Sequence, residues 1–299
     1  MRDDIIIPFH VGAGAVRGRI IRLGPAIDEI LAAHPFPDGV LELLGEAAAL
    51  TALMGSSLKF DGKLIFQAQG DGPVRLLVAD YVSDGALRAT AAIAGGAGGR
   101  GLSALMGKGH LALTIDQGPD MERYQGVTPI EGRTLEEAAV AYFTQSEQIP
   151  TALRLAVGKV ARPGAREVWR AGGVIAQFIP GEGGARERGD SALQSEEDRE
   201  QWDRAAAFLA TTQADELLDP GLSPEDLLYR LYHEDGVRVF DARPLRAACS
   251  CNAAKIAAVL SRYSAEDLAD LADDGRIKVS CDFCRRDYYF DREGREAER

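Results

Sequence analysis

The chain has 299 residues, about twice the usual size of a domain, and this predicts two globular parts or one large part with a small one. A hydrophobic fraction of 46% and a charged fraction of 27% exclude a wholly disordered chain, and a net charge of −12 disfavours nucleic acid as a partner. No signal-peptide core and no apolar run of about 18 residues occurs. We therefore expect a cytoplasmic protein with no membrane partner.

The first part of the chain reads as alternating strands and two well-marked helices. An almost wholly apolar segment at 37–58 predicts a buried helix, and Thr134 and Glu137 predict a capping box that opens a second helix over 134–148. Alternating apolar residues, with turn-rich segments between them, predict strands at 62–69, 74–81, 86–93, 111–116 and 173–180. The first two of these strands, joined by "GDGP", read as a β-hairpin. These patterns predict an α+β fold with a largely antiparallel N-terminal domain and packed helices, over residues 1–184.

Residues 185–243 differ in character, because 22 of these 59 residues are charged and apolar residues are sparse. A narrow apolar stripe contains Trp202, Ala205, Ala206 and Leu209, and "SPEDLLYRLY" begins with Ser223 as an N-cap. We interpret this segment as a metastable helical linker whose stripes need a neighbour to be stable. An ordinary charged helical linker fits the same residues.

Motifs typical of enzymes do not occur here in the sequence context that they require. The stretch "GAGGRG" at 96–101 matches a dinucleotide-binding pattern, but too little chain separates it from the next strand to form a crossover helix. No nucleophile elbow accompanies the four histidines. We therefore predict that the protein is not an enzyme.

All four cysteines lie near the end of the chain in two tight pairs, Cys249 with Cys251 and Cys281 with Cys284. Two short-range pairs joined by a longer connection are typical of zinc sites with four sulfur ligands, so the spacing predicts one Zn²⁺ per chain in a small domain over 244–299. Two short helices should separate the pairs, with Ser264 capping the second and Gly275 ending it.

The second pair should lie on a β-hairpin, since "RIKVSCDFC" runs as a strand into a turn and "RRDYYF" returns. A thioredoxin-like role is disfavoured, because that chemistry places its cysteines at a helix start. Four inert buried thiols are a further reading. Whether the zinc is structural or part of a redox switch stays open on chemistry alone, although a C-x-C disulfide closes a strained ring and is typical of labile bonds.

The sequence resembles the 33-kDa redox-regulated chaperone (33-kDa chaperonin) family. The resemblance rests on "GDGPVRLLVADY", "YFTQSEQIPT", "AGGVIAQFIP", "LLYRLYHEDGVRVFDARPLR" and "CSC…CDFC…YYF". It implies an ATP-independent holdase that binds unfolding client proteins under oxidative and heat stress, is inactive while reduced and zinc-bound, and forms a homodimer when active. ATP-dependent foldases would receive its clients.

The same resemblance implies that Cys249, Cys251, Cys281 and Cys284 bind the zinc. It also implies that the activating disulfides are Cys249–Cys251 and Cys281–Cys284. The alternative is a constitutive zinc-ribbon-like adaptor or nucleic-acid-binding protein. It is disfavoured because residues 244–299 carry 10 basic and 11 acidic side chains, with no one-sided basic patch.

Overall fold

The computed structural model describes residues 3–12, 14–57, 61–118, 121–161, 164, 166–179 and 195–297. Contacts within the chain separate two compact units, Met1–Ala247 and Ala248–Arg299. The predicted α+β class, with antiparallel sheets and packed helices, is confirmed. The proposed end of the N-terminal domain at 184 and the start of the linker lie outside the described residues.

The first unit contains two sheets. Sheet A has the order β10-β1-β2-β9-β8, with β11 also paired to β1. Its strands are β1 (Ile5–Val11), β2 (Val16–Leu23), β8 (Thr151–Val160), β9 (Val168–Phe178), β10 (Val237–Val239) and β11 (Arg243–Pro244). Every pairing in sheet A is antiparallel.

Sheet B has the order β12-β5-β4-β3-β6-β7. Its strands are β3 (Lys63–Gly70), β4 (Val74–Val82), β5 (Ala86–Ile93), β6 (Gly109–Asp116), β7 (Tyr124–Pro129) and β12 (Arg246–Ala247). The predicted hairpin is β3–β4, and the predicted strands at 86–93 and 111–116 are β5 and β6. Only the short β12–β5 pair is parallel among the described strands of this sheet.

Helix α2 (Asp38–Gly55) explains why the segment at 37–58 is apolar on nearly every face. It contacts strands of both sheets, so it has no side that faces bulk water along most of its length. Gly55 allows the close approach of β4, since a Cβ there would overlap the Tyr81 ring. The main apolar cluster of the molecule surrounds α2 and is joined by α1 (Pro25–Ala32), α3 (Leu102–Met106) and α4 (Leu135–Tyr142).

The predicted helix over 134–148 is α4 followed by one π-helical turn, Phe143–Glu147. The capping box is only half formed. The Thr134 hydroxyl accepts from the Glu137 amide at 3.2 Å, but the Glu137 carboxylate accepts from the Arg133 amide instead of the Thr134 amide. The change to a wider turn cannot be read from sequence periodicity, because five π-helical residues are too few to establish a period.

Three helices of the linker pack on the face of sheet A that α2 does not cover. They are α5 (Glu196–Ala210), α6 (Ala214–Leu218) and α7 (Pro224–Tyr232). Trp202, Ala205 and Leu209 are buried as the stripe predicted, and Ser223 caps α7 by accepting from the Asp226 amide at 3.0 Å. A second apolar cluster holds these helices against strands β1, β2 and β9.

The second unit contains α8 (Ala253–Leu260), α9 (Ala265–Leu271) and the hairpin β13 (Ile277–Ser280) with β14 (Asp287–Phe290). Ser264 caps α9 as predicted. The prediction that Gly275 ends this helix is wrong, because α9 stops at Leu271 and Gly275 lies in the turn before β13 with a φ of +79°. Among the described residues of both units, no helix is long and apolar enough to cross a membrane.

Candidate metal centre

The four cysteines form one cluster in the second unit. Their Sγ atoms all lie within 4.8 Å of one another, and each side chain is partly buried. The Sγ atoms of Cys249 and Cys281 are 3.7 Å apart, and those of Cys251 and Cys284 are 3.4 Å apart. The fold therefore brings together two pairs that 29 residues separate in sequence.

The first pair is fixed by the start of α8. Asn252 follows Cys251 and caps the helix, with its side-chain oxygen accepting from the Lys255 amide at 2.9 Å. The Lys255 ammonium donates to the Ser250 carbonyl at 2.6 Å, between the two cysteines. These hydrogen bonds fix the C-x-C segment to the first turn of α8.

The second pair lies in the turn of the β13–β14 hairpin, as the sequence predicts. The Cys281 amide donates to the Arg286 carbonyl at 2.9 Å, and the Arg285 amide donates to the Cys281 carbonyl at 2.8 Å. Arg285 takes a positive φ of 56°, which an L-residue adopts only where the turn demands it. The turn curls the backbone around the sulfurs, and the Arg286 amide donates to the Cys284 sulfur.

Two neighbours act directly on the sulfurs. The Tyr288 hydroxyl donates to the Cys251 Sγ at 3.2 Å. A hydrogen bond with Tyr288 raises the pKa of the Arg286 guanidinium, and the nearby Cys284 and Cys251 sulfurs add to that shift. Lys278, which also flanks the cluster in sequence, instead pairs with Asp287 at 2.8 Å.

The Cys284 thiol favours the protonated form while only protein surrounds it. Burial, followed by hydrogen bonds with the other three cysteines, raises the pKa of Cys284 to about 12. A cation at the centre would reverse this preference, because a coordinated thiol is deprotonated outright. Four deprotonated cysteines in this cluster would carry a large negative charge, which a bound cation could compensate.

The spacing of the sulfurs fits a tetrahedral zinc site. Four sulfurs at about 2.3 Å from a central Zn²⁺ have edges of about 3.8 Å. The measured edges of 3.7 and 3.4 Å and the upper limit of 4.8 Å are close to that figure. A ligand set made only of sulfur selects a soft or borderline metal over Mg²⁺ or Ca²⁺. Fold and site together define an α+β protein with four clustered cysteines, a possible metal site, in a small C-terminal unit.

Comparison with known proteins gives the family. The family model described as Hsp33 protein matches residues 4–291. A 33 kDa chaperonin of Caulobacter vibrioides is 48% identical, covering 98% of this chain and 96% of that protein. One of Shewanella loihica is 36% identical, covering 97% and 94%. The chain belongs to the Hsp33 family, and its function is that of a chaperone, a role that is not enzymatic.

A solved structure shares the fold. The crystal structure of the 33 kDa chaperonin (heat shock protein 33 homolog) of Thermotoga maritima superposes with a TM-score of 0.80 at 22% identity, covering 98% of this chain and 96% of that one. The architecture of two sheets, linker helices and small terminal unit is therefore that of a known fold.

Sequence reasoning located the sulfurs but missed their neighbours. The Tyr288 hydroxyl contacts the cluster and was not expected to, whereas Arg286 flanks the sulfurs in sequence and its amide contacts Cys284. Alternation along "RRDYYF" offers a signal, because Tyr288 shares a strand face with the wholly buried Phe290 and so points into the unit.

Proposed function

We propose that the protein is an ATP-independent holdase switched by the redox state of its cysteine cluster. In the reduced form Cys249, Cys251, Cys281 and Cys284 hold one Zn²⁺ per chain, and client binding is silent. The observation that carries this proposal is the cluster itself: four sulfurs within 4.8 Å in a unit with only four buried apolar side chains among its described residues. Zinc supplies charge compensation for four thiolates and crosslinks the two ends of the unit.

Oxidation removes the ligands in pairs. Each pair of thiols gives up two electrons and two protons to form one disulfide, and one molecule of hydrogen peroxide is reduced to two of water. By family resemblance the pairs are Cys249–Cys251 and Cys281–Cys284. A disulfide sulfur is a poor metal ligand, so one such step leaves the site with half of its donors and a much weaker affinity for zinc.

Loss of the metal destabilises the terminal unit, over residues 244–299, and through chain continuity the linker, over residues 185–243. The linker is a suitable responder because its helices are charged on the outside and held by a thin set of apolar contacts on sheet A. Segments with few buried contacts open at low free energy. Their release would uncover the apolar face of sheet A and the helix stripes, which are surfaces that an unfolding client can bind.

Family resemblance supplies the remaining parts of the proposal. The active form is a homodimer in the cytoplasm, it holds unfolded or partly unfolded proteins, and it passes them to ATP-dependent foldases when reducing conditions return.

The test is a thermal aggregation assay with an unrelated, heat-labile client protein. The reduced protein should not suppress light scattering, whereas protein treated with peroxide at elevated temperature should suppress it at near-stoichiometric ratio. Treating the oxidised protein with dithiothreitol and zinc should return it to the inactive form, which does not suppress aggregation. Cys281→Ser should lower the zinc content, and Ser261→Ala, an exposed change in the same unit, should behave as wild type.

Disulfide mapping completes the test. Peptides that join Cys249 to Cys251 and Cys281 to Cys284 are expected, whereas peptides joining Cys249 to Cys281 would contradict the pairing. Suppression that is equal in reduced and oxidised protein would overturn the switch. A zinc-loaded protein that never binds clients would favour the constitutive adaptor.

A further inference from the structure

A cavity of about 460 Å³ lies between the two sheets of the first unit, where α2 ends. Along most of its length α2 fills the space between sheets A and B, but the helix stops at Gly55. Beyond that point strands β1, β2 and β9 face strands β3, β6 and β7 across the cavity. Its volume is in the range of small-molecule sites.

The walls of the cavity divide by polarity. One wall is mostly apolar, and its apolar side chains from α2, β3, β6 and the start of the π-helical turn include Leu53, Leu64, Leu113, Ile115 and Phe143. The opposite wall, on sheet A, carries polar and cationic groups. The apolar side of the cavity could therefore hold an alkyl chain, and the sheet A side could hold an anionic group.

Arg17 and Arg19 supply that charge from strand β2. Alternation places them on the same face as Ile21, which belongs to the main apolar cluster, and both arginines line the cavity. Arg19 is the more constrained, because its Nε atom is buried and has no hydrogen-bond partner among the described residues. Burial, with Arg243 nearby, lowers the pKa of Arg19 to about 10.

No carboxylate in the described part of the chain forms an ion pair with Arg17, Arg19, Arg238 or Arg243. Arg243 donates instead to the Ser56 carbonyl at 3.4 Å, at the C-terminal end of α2. This concentration of unpaired cations is unexpected in a chain of net charge −12. A half-buried guanidinium that has no counter-ion and whose buried Nε has no hydrogen-bond partner is costly, and an anion in the cavity would lower that cost.

Other titratable groups that line the cavity do not cancel this charge. Glu147 is exposed, and its carboxylate accepts from the Tyr142 hydroxyl at 3.1 Å. His10 is kept neutral, because burial and the nearby arginines lower the pKa of its imidazole. The Arg17 Nε–H donates to the Gly14 carbonyl at 3.3 Å, and Arg17 lines the cavity.

We propose that this cavity binds an amphipathic anion, namely a straight-chain fatty acid of medium length. Its carboxylate would accept from the guanidinium groups of Arg19 and Arg17, for which the planar donor fork of arginine is well matched. Its alkyl chain would lie along Leu53, Leu64 and Leu113. A nucleotide fits less well, since the wall opposite the arginines offers hydrocarbon and few hydrogen-bonding groups.

The test uses the full-length protein in its reduced, zinc-loaded form, with dodecanoate as the probe. Isothermal calorimetry should show saturable binding near one molecule per chain, and dodecanoate should displace a fluorescent fatty acid. Dodecanol has the same tail without the charge, so it should bind at least about tenfold more weakly, and dodecyltrimethylammonium should not compete.

Variants locate the site. Arg19→Gln should weaken dodecanoate binding about tenfold or more while leaving dodecanol binding nearly unchanged. The matched control is Arg75→Gln, because Arg75 is exposed and lies outside the cavity. Ile115→Trp should block binding of both probes by filling the apolar side. If Arg19→Gln fails to fold, the Ile115→Trp variant still tests the proposal. So does the comparison of dodecanoate with dodecanol and dodecyltrimethylammonium.

Binding that does not saturate would overturn the proposal. So would equal affinity for dodecanoate and dodecanol, or equal losses in Arg19→Gln and Arg75→Gln. Tighter binding of a peptide with a free, apolar C-terminus than of dodecanoate would assign the cavity to protein ends instead and would also overturn it.

Discussion

The two units of this chain hold their folds by different means. In the first unit α2 is buried between two sheets, and apolar clusters occupy both faces of sheet A. In the described part of the second unit only Leu260, Leu268, Ile277 and Phe290 are buried apolar residues, and four sulfurs lie beside them. Each such side chain contributes about 1.5–3 kcal/mol, whereas a structural zinc site contributes about 10–16 kcal/mol. The difference teaches that an oxidant can unfold the second unit through its sulfurs and leave α2 and the two sheets of the first unit folded.

The largest effect should come from removing the metal. A strong chelator under reducing conditions should unfold residues 248–297 and leave sheets A and B folded, since the second unit loses about 10–16 kcal/mol and the sheets contain no metal ligand. Hydrogen exchange read by mass spectrometry would show full exchange in α8, α9 and β13–β14 with unchanged protection in α2. Equal protection of the second unit with and without chelator would show that its stability does not depend on the metal.

A smaller effect should follow from truncating one core side chain in each unit. Phe290→Ala and Phe66→Ala remove wholly buried rings, so each should cost about 3–5 kcal/mol. Because folding and metal binding are coupled in the second unit, Phe290→Ala should weaken zinc affinity by a similar free energy in competition with a metallochromic dye. Phe66→Ala should lower the melting temperature of the first unit without changing zinc affinity. Similar losses of zinc affinity in both variants would show that the units are not independent.

The pH dependence of stability should trace to Glu46, in the first unit. Burial, followed by the charges of Glu136 and Glu42, raises the pKa of Glu46 from 4.5 to about 7. Those two neighbours are themselves paired, Glu136 with Arg154 and Glu42 with Arg100. The folded chain therefore keeps a proton that the unfolded chain releases, so this stabilising contribution is complete below pH 4.5 and is lost as the pH rises toward about 7.

Glu46→Gln should remove that loss and stabilise the first unit at pH 8 by about 1–2 kcal/mol, with little change at pH 4. Urea unfolding at the two pH values measures it, and Glu29→Gln, on exposed α1 surface, is the control. A stabilisation that is the same at both pH values would contradict the titration of Glu46. Zinc affinity should not respond to this variant.

The smallest effect should appear at Tyr288, whose hydroxyl donates to the Cys251 Sγ at 3.2 Å. This bond stabilises a thiolate and lowers its nucleophilicity, so Tyr288→Phe should oxidise about fivefold faster, in keeping with a bond of about 1 kcal/mol. Zinc release under limiting peroxide measures the rate. Tyr289→Phe is the matched control, because it lies on the opposite face of β14. Identical rates in the two variants would show that the bond does not govern reactivity.

Short sequence patterns correctly predicted those elements that residues close together in the sequence determine. The β3–β4 hairpin followed from alternation, α7 from Ser223 and Pro224, and the cysteine cluster from its spacing. Of sheet A only β9 was predicted. Strands β1, β2 and β8 pair with sequence neighbours, and their alternation was not recognised, whereas the pairing of β2 with β9 joins segments more than 100 residues apart. Such pairings leave no mark in the sequence of either segment.

The candidate site was predicted as far as the clustering of the four cysteines and the hairpin that carries the second pair. The Tyr288 contact and the turn around Cys284 depend on which way the hairpin twists, and the spacing of the cysteines does not contain that information. The cationic wall of the cavity was missed for a related reason. Arg17 and Arg19 look like ordinary outward residues of a strand until a second sheet is placed opposite them.

The central claim is that oxidation of the sulfur cluster unfolds the second unit and releases the linker helices, while α2 and the two sheets of the first unit stay folded. The most direct test is a single peroxide time course on full-length protein, in which zinc release, disulfide content and hydrogen exchange are measured in the same samples. The account predicts that one zinc per chain leaves with the first disulfide and that residues 248–297 lose protection at that moment, while α2 keeps its own. Retention of zinc after disulfides have formed, or a second unit that stays protected without it, would contradict the account.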